Sequence, residues 1–293
     1  MHKVEAKGIL SAHNGMNIYR GCTHGCIYCD SRSTCYQMDH DFEDVQVKIN
    51  APKLLEQALR RKRKKCMIGT GAMSDPYIHL EEELQMTRRC LELIRDYGFG
   101  LAIQTKSARI LRDLDLLVAI NETTKCVVQM TLTTYDEDLC KILEPNVSTT
   151  SERFEALAVM RDHGIPTIVW LDPLLPWIND TEENLRGVMR YCTEAQVKGI
   201  ICFNIGLTLR DGNREYFYAK LDEHFPGTKE KYKARYGDLY QVVSPRNEKL
   251  MGIFRDLCKS HKIISSVNGC FDYLRRFEDK GPKQMLLPLG ELY

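Results

Sequence analysis

Residues 21 to 30 read Gly21-CTHGCIYC-Asp30 and place three cysteines, Cys22, Cys26 and Cys29, within eight residues. Three thiolates at this spacing suit one iron-sulfur cluster, because a 4Fe-4S cube has four corners and this stretch supplies three ligands. The fourth iron would be open to bind another molecule. The three cysteines are therefore the predicted metal ligands.

A zinc site is the main alternative for these cysteines. Structural zinc is normally held by four protein ligands in two separated pairs, and no comparable pair of Cys or His residues follows downstream. His24 lies between two of the cysteines, where it is poorly directed toward the same ion. Cys35, outside the motif, is predicted to be a free thiol and not a fourth ligand. The pattern favours an iron-sulfur cluster.

Around this stretch, short apolar runs rich in β-branched residues alternate with longer segments of helical periodicity. Such alternation is typical of repeated β-α units around a parallel sheet. Strands are predicted at residues 15–20, 66–71, 100–105, 125–131, 166–172 and 199–205. Helices are predicted at residues 52–65, 81–97, 108–120, 151–163, 181–196 and 246–262. The predicted fold class is α/β, a partial (β/α)6 barrel with a C-terminal α-rich extension.

The domain organisation follows from this rhythm. Residues 1–207 are predicted to form the (β/α)6 core with a cluster-binding loop at 22–29, and residues 208–293 an extension that covers the barrel within the same structural domain. The tail after Glu278 is predicted to be loosely ordered. Because right-handed crossovers put all strand C-termini on one side, the polar loops after the strands predict a site at that end.

Composition restricts the cellular context more than the function. The chain has 293 residues with 41 basic and 40 acidic side chains, so net charge argues neither for nor against a polyanionic partner. Neither a membrane-spanning stretch nor a signal peptide is apparent, which predicts a cytoplasmic protein without a membrane partner. In a reducing compartment, the 12 cysteines indicate metal ligands, reactive thiols or small core residues, not disulfides.

The cysteine motif in this context resembles the radical S-adenosylmethionine (SAM) superfamily: it follows the first strand, has Tyr28 before its last cysteine and opens a β/α series. The resemblance implies a barrel of the radical SAM type, with a 4Fe-4S cluster whose fourth iron binds SAM. An electron donor such as flavodoxin or ferredoxin would reduce the cluster. SAM would then yield methionine and a 5'-deoxyadenosyl radical, which takes hydrogen from a substrate.

Further segments over residues 14–270 resemble the spore photoproduct lyase-related branch of that superfamily. They are Gly69-TGAMSDPYIHLE-Glu82, Gln104-TKS, Leu132-TTYDEDLCKILEP, Arg153-FEALAVMRDHGIP and Pro173-LLPWIND. The resemblance implies SAM-binding roles. Tyr28 and Pro173 would pack along the adenine, Lys106 would hold the carboxylate, and the remaining contacts would come from Gly71, Ala72, Met73, Ser74, Thr131 and Thr133.

One departure from the lyase pattern concerns the substrate. The lyase returns a hydrogen atom from a cysteine in the loop after the second strand, whereas Ala72 or Met73 stands at that place here. Repair of thymine dimers is therefore not expected, and the catalytic side chain stays unknown. A nucleic-acid base or nucleotide ranks ahead of a small metabolite as the substrate.

Two basic regions bear on nucleic-acid binding. The run at residues 60–65 is interpreted as a solvated helix end, and the aromatic-basic region at 214–240 as a plug over the barrel edge. Two other functions use the same cysteines: cluster-dependent transfer of another SAM-derived group, and a non-catalytic, nucleic-acid-binding metal-cluster protein. The oligomeric state is not indicated by the sequence.

Overall fold

The structure, a computed structural model, describes residues 1–281. The predicted loose tail after Glu278 runs into residues 282–293, which lie outside this part. The strands are β1 (His2–Val4), β2 (Gly15–Met16), β3 (Tyr19–Arg20), β4 (Gln46–Lys48), β5 (Met67–Thr70), β6 (Gly100–Thr105), β7 (Cys126–Thr131), β8 (Thr167–Trp170), β9 (Gly199–Ile201), β10 (Gly206–Thr208) and β11 (Gln241–Val243).

The α-helices alternate with these strands. They are α1 (Ala51–Arg61), α2 (Glu81–Leu84), α3 (Met86–Asp96), α4 (Leu114–Thr123), α5 (Glu137–Leu143), α6 (Thr150–Asp162), α7 (Glu182–Glu194), α8 (Asn213–His224), α9 (Thr228–Tyr236), α10 (Asn247–Ser260) and α11 (Val267–Arg275). Short 3-10 helices lie at Asp30–Arg32, Thr34–Tyr36 and Ala108–Asp113. None of the helices in the described part is long and apolar enough to cross a membrane.

The central sheet has six strands in the order β2-β5-β6-β7-β8-β9, all parallel. Ala102 pairs with Gly69 on one side and with Val127 on the other, so neighbouring strands in the chain are neighbours in space. β2 and β9 form the two edges, which leaves the barrel open between them. The predicted α/β partial barrel is confirmed.

Apolar packing on both faces holds this sheet. Every residue of β7 is buried, and the inward faces of the covering helices bury leucines such as Leu55, Leu91, Leu117 and Leu157 completely. Each such leucine contributes about 1.5 to 3 kcal/mol on leaving water. Because strands and helices share one core, the strand ends that carry the polar loops are fixed relative to one another.

The first predicted strand, residues 15–20, is divided between two sheets. Only β2 joins the barrel, whereas β3 pairs antiparallel with β4 in a small separate sheet that also contains β1. Lys48 fixes the division, since its backbone N–H donates to Ile18 O and its Nζ to Asn17 O. The chain leaves the barrel at Asn17, before the cysteines begin.

Two predicted helices differ in detail. The helix predicted at 81–97 is two helices, α2 and α3, because Gln85 between them has a left-handed φ of 48°. The helix predicted at 108–120 begins as a 3-10 turn and becomes α-helical only at Leu114.

The C-terminal extension contains α8 to α11, and β10 pairs with β11 across it. Two of its aromatic residues, Phe217 and Tyr232, are fully buried, in a cluster that also contains Ile27 and Tyr28 of the cysteine loop. This burial agrees with packing against the cysteine loop, and the interpretation of residues 214–240 as a plug over the barrel edge stays a prediction. The domain boundary at residue 207 stays a prediction.

Candidate active site

The cysteine loop is held by two distant segments. The Cys22 N–H donates to Phe42 O at 3.0 Å, and the Ile27 N–H donates to Leu143 O at 3.0 Å. Gly21 has a φ of +89°, and a Cβ there would lie 2.5 Å from Phe42 O. Only glycine allows this close approach, so the loop conformation is specified by its own sequence.

The three cysteines gather on one small cavity. Cys22 and Cys26 are buried, Cys29 is half-buried, and all three are free thiols lining a cavity of about 90 Å³. Burial, followed by the charge of Asp75, raises the pKa of Cys22 to about 12, and burial raises the pKa of Cys26 well above its ordinary value. These raised pKa values favour protonated thiols in the metal-free protein, and a metal centre that binds the sulfurs would displace the protons.

Their spacing suits a cluster more than a single ion. Within residues 1–281, these cysteines do not form a group in which all ligand atoms approach within 4.8 Å of one another. The sulfur atoms that bind one zinc ion lie less than 4.8 Å from one another, because each Zn–S bond is only about 2.3 Å long. Sulfurs that bond separate irons stand farther apart. The donor set therefore fits an iron-sulfur cluster, and the zinc alternative is disfavoured.

The loop after β5 forms the opposite side of this cavity through Gly71, Ala72, Met73 and Ser74. Gly71 has a φ of +98°, and a Cβ there would lie 1.9 Å from Gln104 O, so this loop packs directly on β6. Asp75 joins the two, because its carboxylate accepts from Thr105 Oγ1 at 2.7 Å and from the Lys106 N–H at 2.7 Å.

Lys106 lies at the end of β6 and lines the small cavity with Thr131 at the end of β7. Its Nζ is 3.5 Å from Thr131 Oγ1 and 5.7 Å from the centroid of the Tyr28 ring. Burial acts to lower the pKa of Lys106, but the neighbouring charges of Cys26 and Glu144 outweigh it and raise that pKa. The site thus holds a fixed positive charge beside the cysteines.

A larger cavity of about 580 Å³ adjoins the small one. Cys26, Cys29, Ala72 and Lys106 line both. The larger cavity is also lined by Tyr28, Asp172, Pro173, Trp170 and Phe203, and by Tyr240 together with the β10–β11 pair. A small polar pocket that opens into a larger, partly aromatic one has room for a metal centre beside an organic molecule.

A buried ion pair, Arg153 with Glu144, contacts two residues of the candidate site. Arg153 and Glu144 form an ion pair and are both fully buried. Glu144 also accepts the Tyr28 hydroxyl hydrogen bond, and Arg153 donates to Thr131 O at 2.7 Å. Arg153 lowers the pKa of Glu144 against the effect of burial, so the carboxylate stays charged. This pair fixes two of the predicted SAM-binding residues.

Several buried polar atoms of the cysteine loop and of the strand-end loops have no protein partner among the described residues. They include Ser74 Oγ, Thr133 Oγ1 and His24 Nε2. A buried polar atom without a partner costs about 1 to 3 kcal/mol, so such atoms mark places where a ligand completes the hydrogen bonding. Ser74 lines the small cavity, whereas Thr133 lines neither cavity.

The comparison with family models decides the identity of the fold. Residues 16–209 match the model of the Radical SAM superfamily. The chain belongs to the radical SAM superfamily. Membership implies an enzyme that uses SAM and an iron-sulfur cluster, together with a reductant and a substrate.

Two curated relatives of this radical SAM protein are themselves uncharacterized. A protein of Mycobacterium tuberculosis is 29% identical over 244 residues, covering 80% of this chain and 71% of the relative. A protein of Methanocaldococcus jannaschii is 31% identical over 169 residues, covering 57% of this chain and 62% of the relative. No substrate is known from the description of either relative.

The fold of this radical SAM protein is that of spore photoproduct lyase. A cysteine-to-serine mutant of the lyase superposes with a TM-score of 0.62 at 15% identity, covering 85% of this chain and 74% of that chain. A second lyase mutant, with bound AdoMet and dinucleoside spore photoproduct, gives a TM-score of 0.60 at 16% identity. The predicted relation to the lyase branch is confirmed at the level of fold.

Four residues that line or support the candidate site have no role assigned to them by the sequence patterns. They are Asp75, Glu144, Arg153 and Asp172, and each lies inside a quoted segment or directly beside one. A charged residue within an apolar helical stretch, as at Arg153, was an available signal, because such residues are rarely buried without a partner. The partner itself lies nine residues away and was not specified by any local pattern.

Asp172 makes the free energy of unfolding of the protein depend on pH. Burial raises the pKa of Asp172 from 3.8 to about 7, partly opposed by Lys106. Because the folded pKa is the higher one, ionisation destabilises the fold progressively as pH rises from about 4 to 7. Asp172→Asn is therefore expected to stabilise the cluster-free protein at pH 8 by roughly 1 to 3 kcal/mol, with the gain vanishing near pH 4.

Urea unfolding at several pH values measures this effect. Asp256→Asn, at an exposed position on α10, is the matched control and should show no such pH trend. A constant difference between Asp172→Asn and wild type from pH 4 to pH 8 would show that Asp172 is not a buried, weakened acid.

Proposed function

We propose that this protein is a radical SAM enzyme in which Cys22, Cys26 and Cys29 hold a 4Fe-4S cluster. When bound and reduced, the cluster supplies the electron that cleaves SAM to methionine and a 5'-deoxyadenosyl radical, which abstracts hydrogen from a substrate. One observation carries the proposal: the three cysteines line a small cavity that shares a wall with a much larger one. The cluster and its reaction partner would lie side by side.

The residues around the shared wall would orient SAM. Lys106 provides the positive charge for the carboxylate, and Ser74 Oγ, buried without a partner, is available for the amino group. Gly71, Ala72 and Met73 offer backbone atoms in the same loop. Tyr28, Thr131 and Pro173 line the cavities where the ribose and adenine would pack. Thr133 lines neither cavity, and its predicted SAM-binding role stays a proposal.

The larger cavity supports a flat, ring-containing substrate such as a nucleic-acid base or nucleotide. The Trp170 and Phe203 ring centroids lie 6.3 Å apart in the cavity lining, to which Tyr240 also belongs. Aromatic side chains in such an arrangement stack on bases. The structurally similar lyase mutant has bound AdoMet and dinucleoside spore photoproduct, and we propose the same two classes of ligand for this chain.

The proposal does not include lyase-type repair. Among the described residues, the cysteines that line the two cavities are the three predicted cluster ligands. Cys140, Cys202 and Cys270 are buried in the core, and Cys35 is exposed outside the lining. In the part of the chain that the structure describes, no cysteine other than the three predicted cluster ligands lines either cavity, so none is positioned to return hydrogen to the product.

The deciding experiment is anaerobic reconstitution with iron and sulfide, followed by reductant and SAM, with analysis of the cleavage products. A chemical reductant replaces the protein donor, for which we propose a flavodoxin or ferredoxin. 5'-Deoxyadenosine and methionine are the expected products. Methylthioadenosine would instead support transfer of another SAM-derived group, and a stable cluster without any cleavage would support the non-catalytic alternative.

The role of Lys106 is tested by SAM affinity. Lys106→Ala is expected to weaken SAM binding by about 10- to 100-fold, because a hydrogen bond to a charged group contributes about 1.5 to 3 kcal/mol. Equilibrium dialysis with the reconstituted protein measures the dissociation constant. Lys64→Ala, on the exposed end after α1, is the control. Equal affinities for the two variants would remove Lys106 from the SAM site.

A further inference from the structure

A second group of metal-binding side chains lies away from the cysteines, in the small sheet. His2 of β1 meets His40 and Asp44 of the segment before β4, and one ligand atom from each lies within 4.8 Å of the other two. Within residues 1–281, this is the one group of three His, Cys, Asp or Glu residues that meets this distance. All three side chains are half-buried, so an ion there would be partly shielded from water.

The ring of His40 is oriented as in many metal-bound histidines. Its Nδ1 lies 2.9 Å from Asp41 O, and because a carbonyl oxygen only accepts, Nδ1 carries the proton. Nε2 of the neutral ring then has a free lone pair, and it is buried without a partner among the described residues. Metal-binding histidines commonly donate their other ring N–H to a backbone carbonyl in this way.

His2 and Asp44 complete the group. His2 Nδ1 lies 2.9 Å from Asp44 Oδ2, and the His2 and His40 rings meet edge to face with centroids 4.8 Å apart. His2 Nε2 lies 3.3 Å from the Gln46 side-chain amide. Turning that amide over presents its oxygen to Nε2, which takes the proton and frees Nδ1 for a metal. Asp44 Oδ1 is contacted by Met1 N at 2.8 Å, so Oδ2 is the available oxygen.

We propose that His2, His40 and Asp44 bind one divalent transition-metal ion of the zinc type, with water at the fourth position. Two imidazole nitrogens and one carboxylate oxygen are a ligand set for Zn²⁺, whereas Ca²⁺ and Mg²⁺ prefer oxygen alone. Ligand atoms around tetrahedral zinc stand about 3.3 Å apart at bonds of about 2.0 Å. Small rotations of half-buried side chains close the present spacing.

The position of this ion gives it a structural role, because it would hold the segment that contacts the cysteine loop. Phe42, between His40 and Asp44, accepts the hydrogen bond from the Cys22 N–H at 3.0 Å. The Arg32 guanidinium lies 4.3 Å from the centroid of the Phe42 ring. A metal that joins β1 to residues 40–44 holds the segment on which Cys22 rests.

Cobalt binding tests the site without interference from thiolates. The full chain, untagged and carrying Cys22→Ala, Cys26→Ala and Cys29→Ala, is titrated with Co²⁺ and followed by its visible absorption. One equivalent is expected to bind, without the near-ultraviolet charge-transfer bands of sulfur ligands. Adding His40→Asn is expected to weaken binding by at least about 10-fold. His13→Asn, at an exposed position outside the group, is expected to have no effect.

Two results overturn the proposal: a triple variant with native circular dichroism that binds no Co²⁺, and binding that His40→Asn leaves unchanged. If the triple variant loses its circular dichroism, His40→Asn and His13→Asn are compared in the wild-type background. In that background, the measured signal is the visible Co²⁺ absorption that is not accompanied by sulfur charge-transfer bands. Loss of this signal in His40→Asn but not in His13→Asn supports the site. Because these measurements require neither cluster nor SAM cleavage, their outcome is independent of the proposed radical chemistry.

Discussion

Cys26→Ala is expected to abolish the 4Fe-4S absorption and SAM cleavage. The rate of 5'-deoxyadenosine formation should fall by about 100-fold or more relative to wild type. Cys26 is the central cysteine of the motif and lines both cavities, so its loss removes one corner of the cluster next to the SAM position. Iron and sulfide content, the electron paramagnetic resonance spectrum of the reduced protein and product yield measure the effect.

Cys66→Ala is the matched control for this experiment. Cys66 is half-buried just before β5 and lines neither cavity. It should keep the full iron content and the wild-type product yield. A complete, active cluster in Cys26→Ala would contradict the ligand assignment.

Arg153→Met is expected to lower the free energy of unfolding by about 3 to 5 kcal/mol, because it leaves the Glu144 carboxylate buried without its partner. Both side chains are fully buried, so water cannot take over the lost interaction. Urea unfolding of the cluster-free protein at pH 7 measures the change. The control is Arg161→Met, which removes a half-buried arginine of the same helix whose partner Asp162 is exposed, and it should lower the free energy of unfolding by much less.

A second variant separates the loss of charge from the loss of packing. In the double variant Arg153→Met with Glu144→Gln, no unpaired charge is buried, and most of the lost stability should return. If the double variant is as unstable as Arg153→Met alone, the ion pair is not the cause. The single variant should also weaken SAM binding, since Glu144 and Arg153 fix Tyr28 and Thr131.

The cysteine loop and the strand order were predictable because they depend on local patterns. Each strand was an apolar run bounded by turns, and strands joined by helices become parallel neighbours. The positions of Lys106 and Thr131 at strand ends followed from the same rule. By contrast, the carboxylate of Asp75 reaches 31 residues along the chain to Lys106, and no local pattern specifies such a contact.

The failures have the same cause. The first strand was predicted as one element because residues 15–20 are continuously strand-like, yet β4, which lies 26 residues beyond β3, takes half of it. Likewise, the pair of Glu144 and Arg153 forms only once α5 and α6 pack together under the cysteine loop. Tertiary contacts, not intrinsic propensities, decide these features.

The large cavity has two walls of different origin, and this has an evolutionary consequence. One wall carries the cysteines and Lys106 from the loops of the barrel, whereas the other is the β10–β11 ribbon with Tyr240. Mutations in the ribbon change the shape offered to an incoming molecule without moving the groups beside the cysteines. Homologues with one radical-generating centre can therefore diverge in specificity through changes in these two strands and the helical segment, α8 and α9, that connects them.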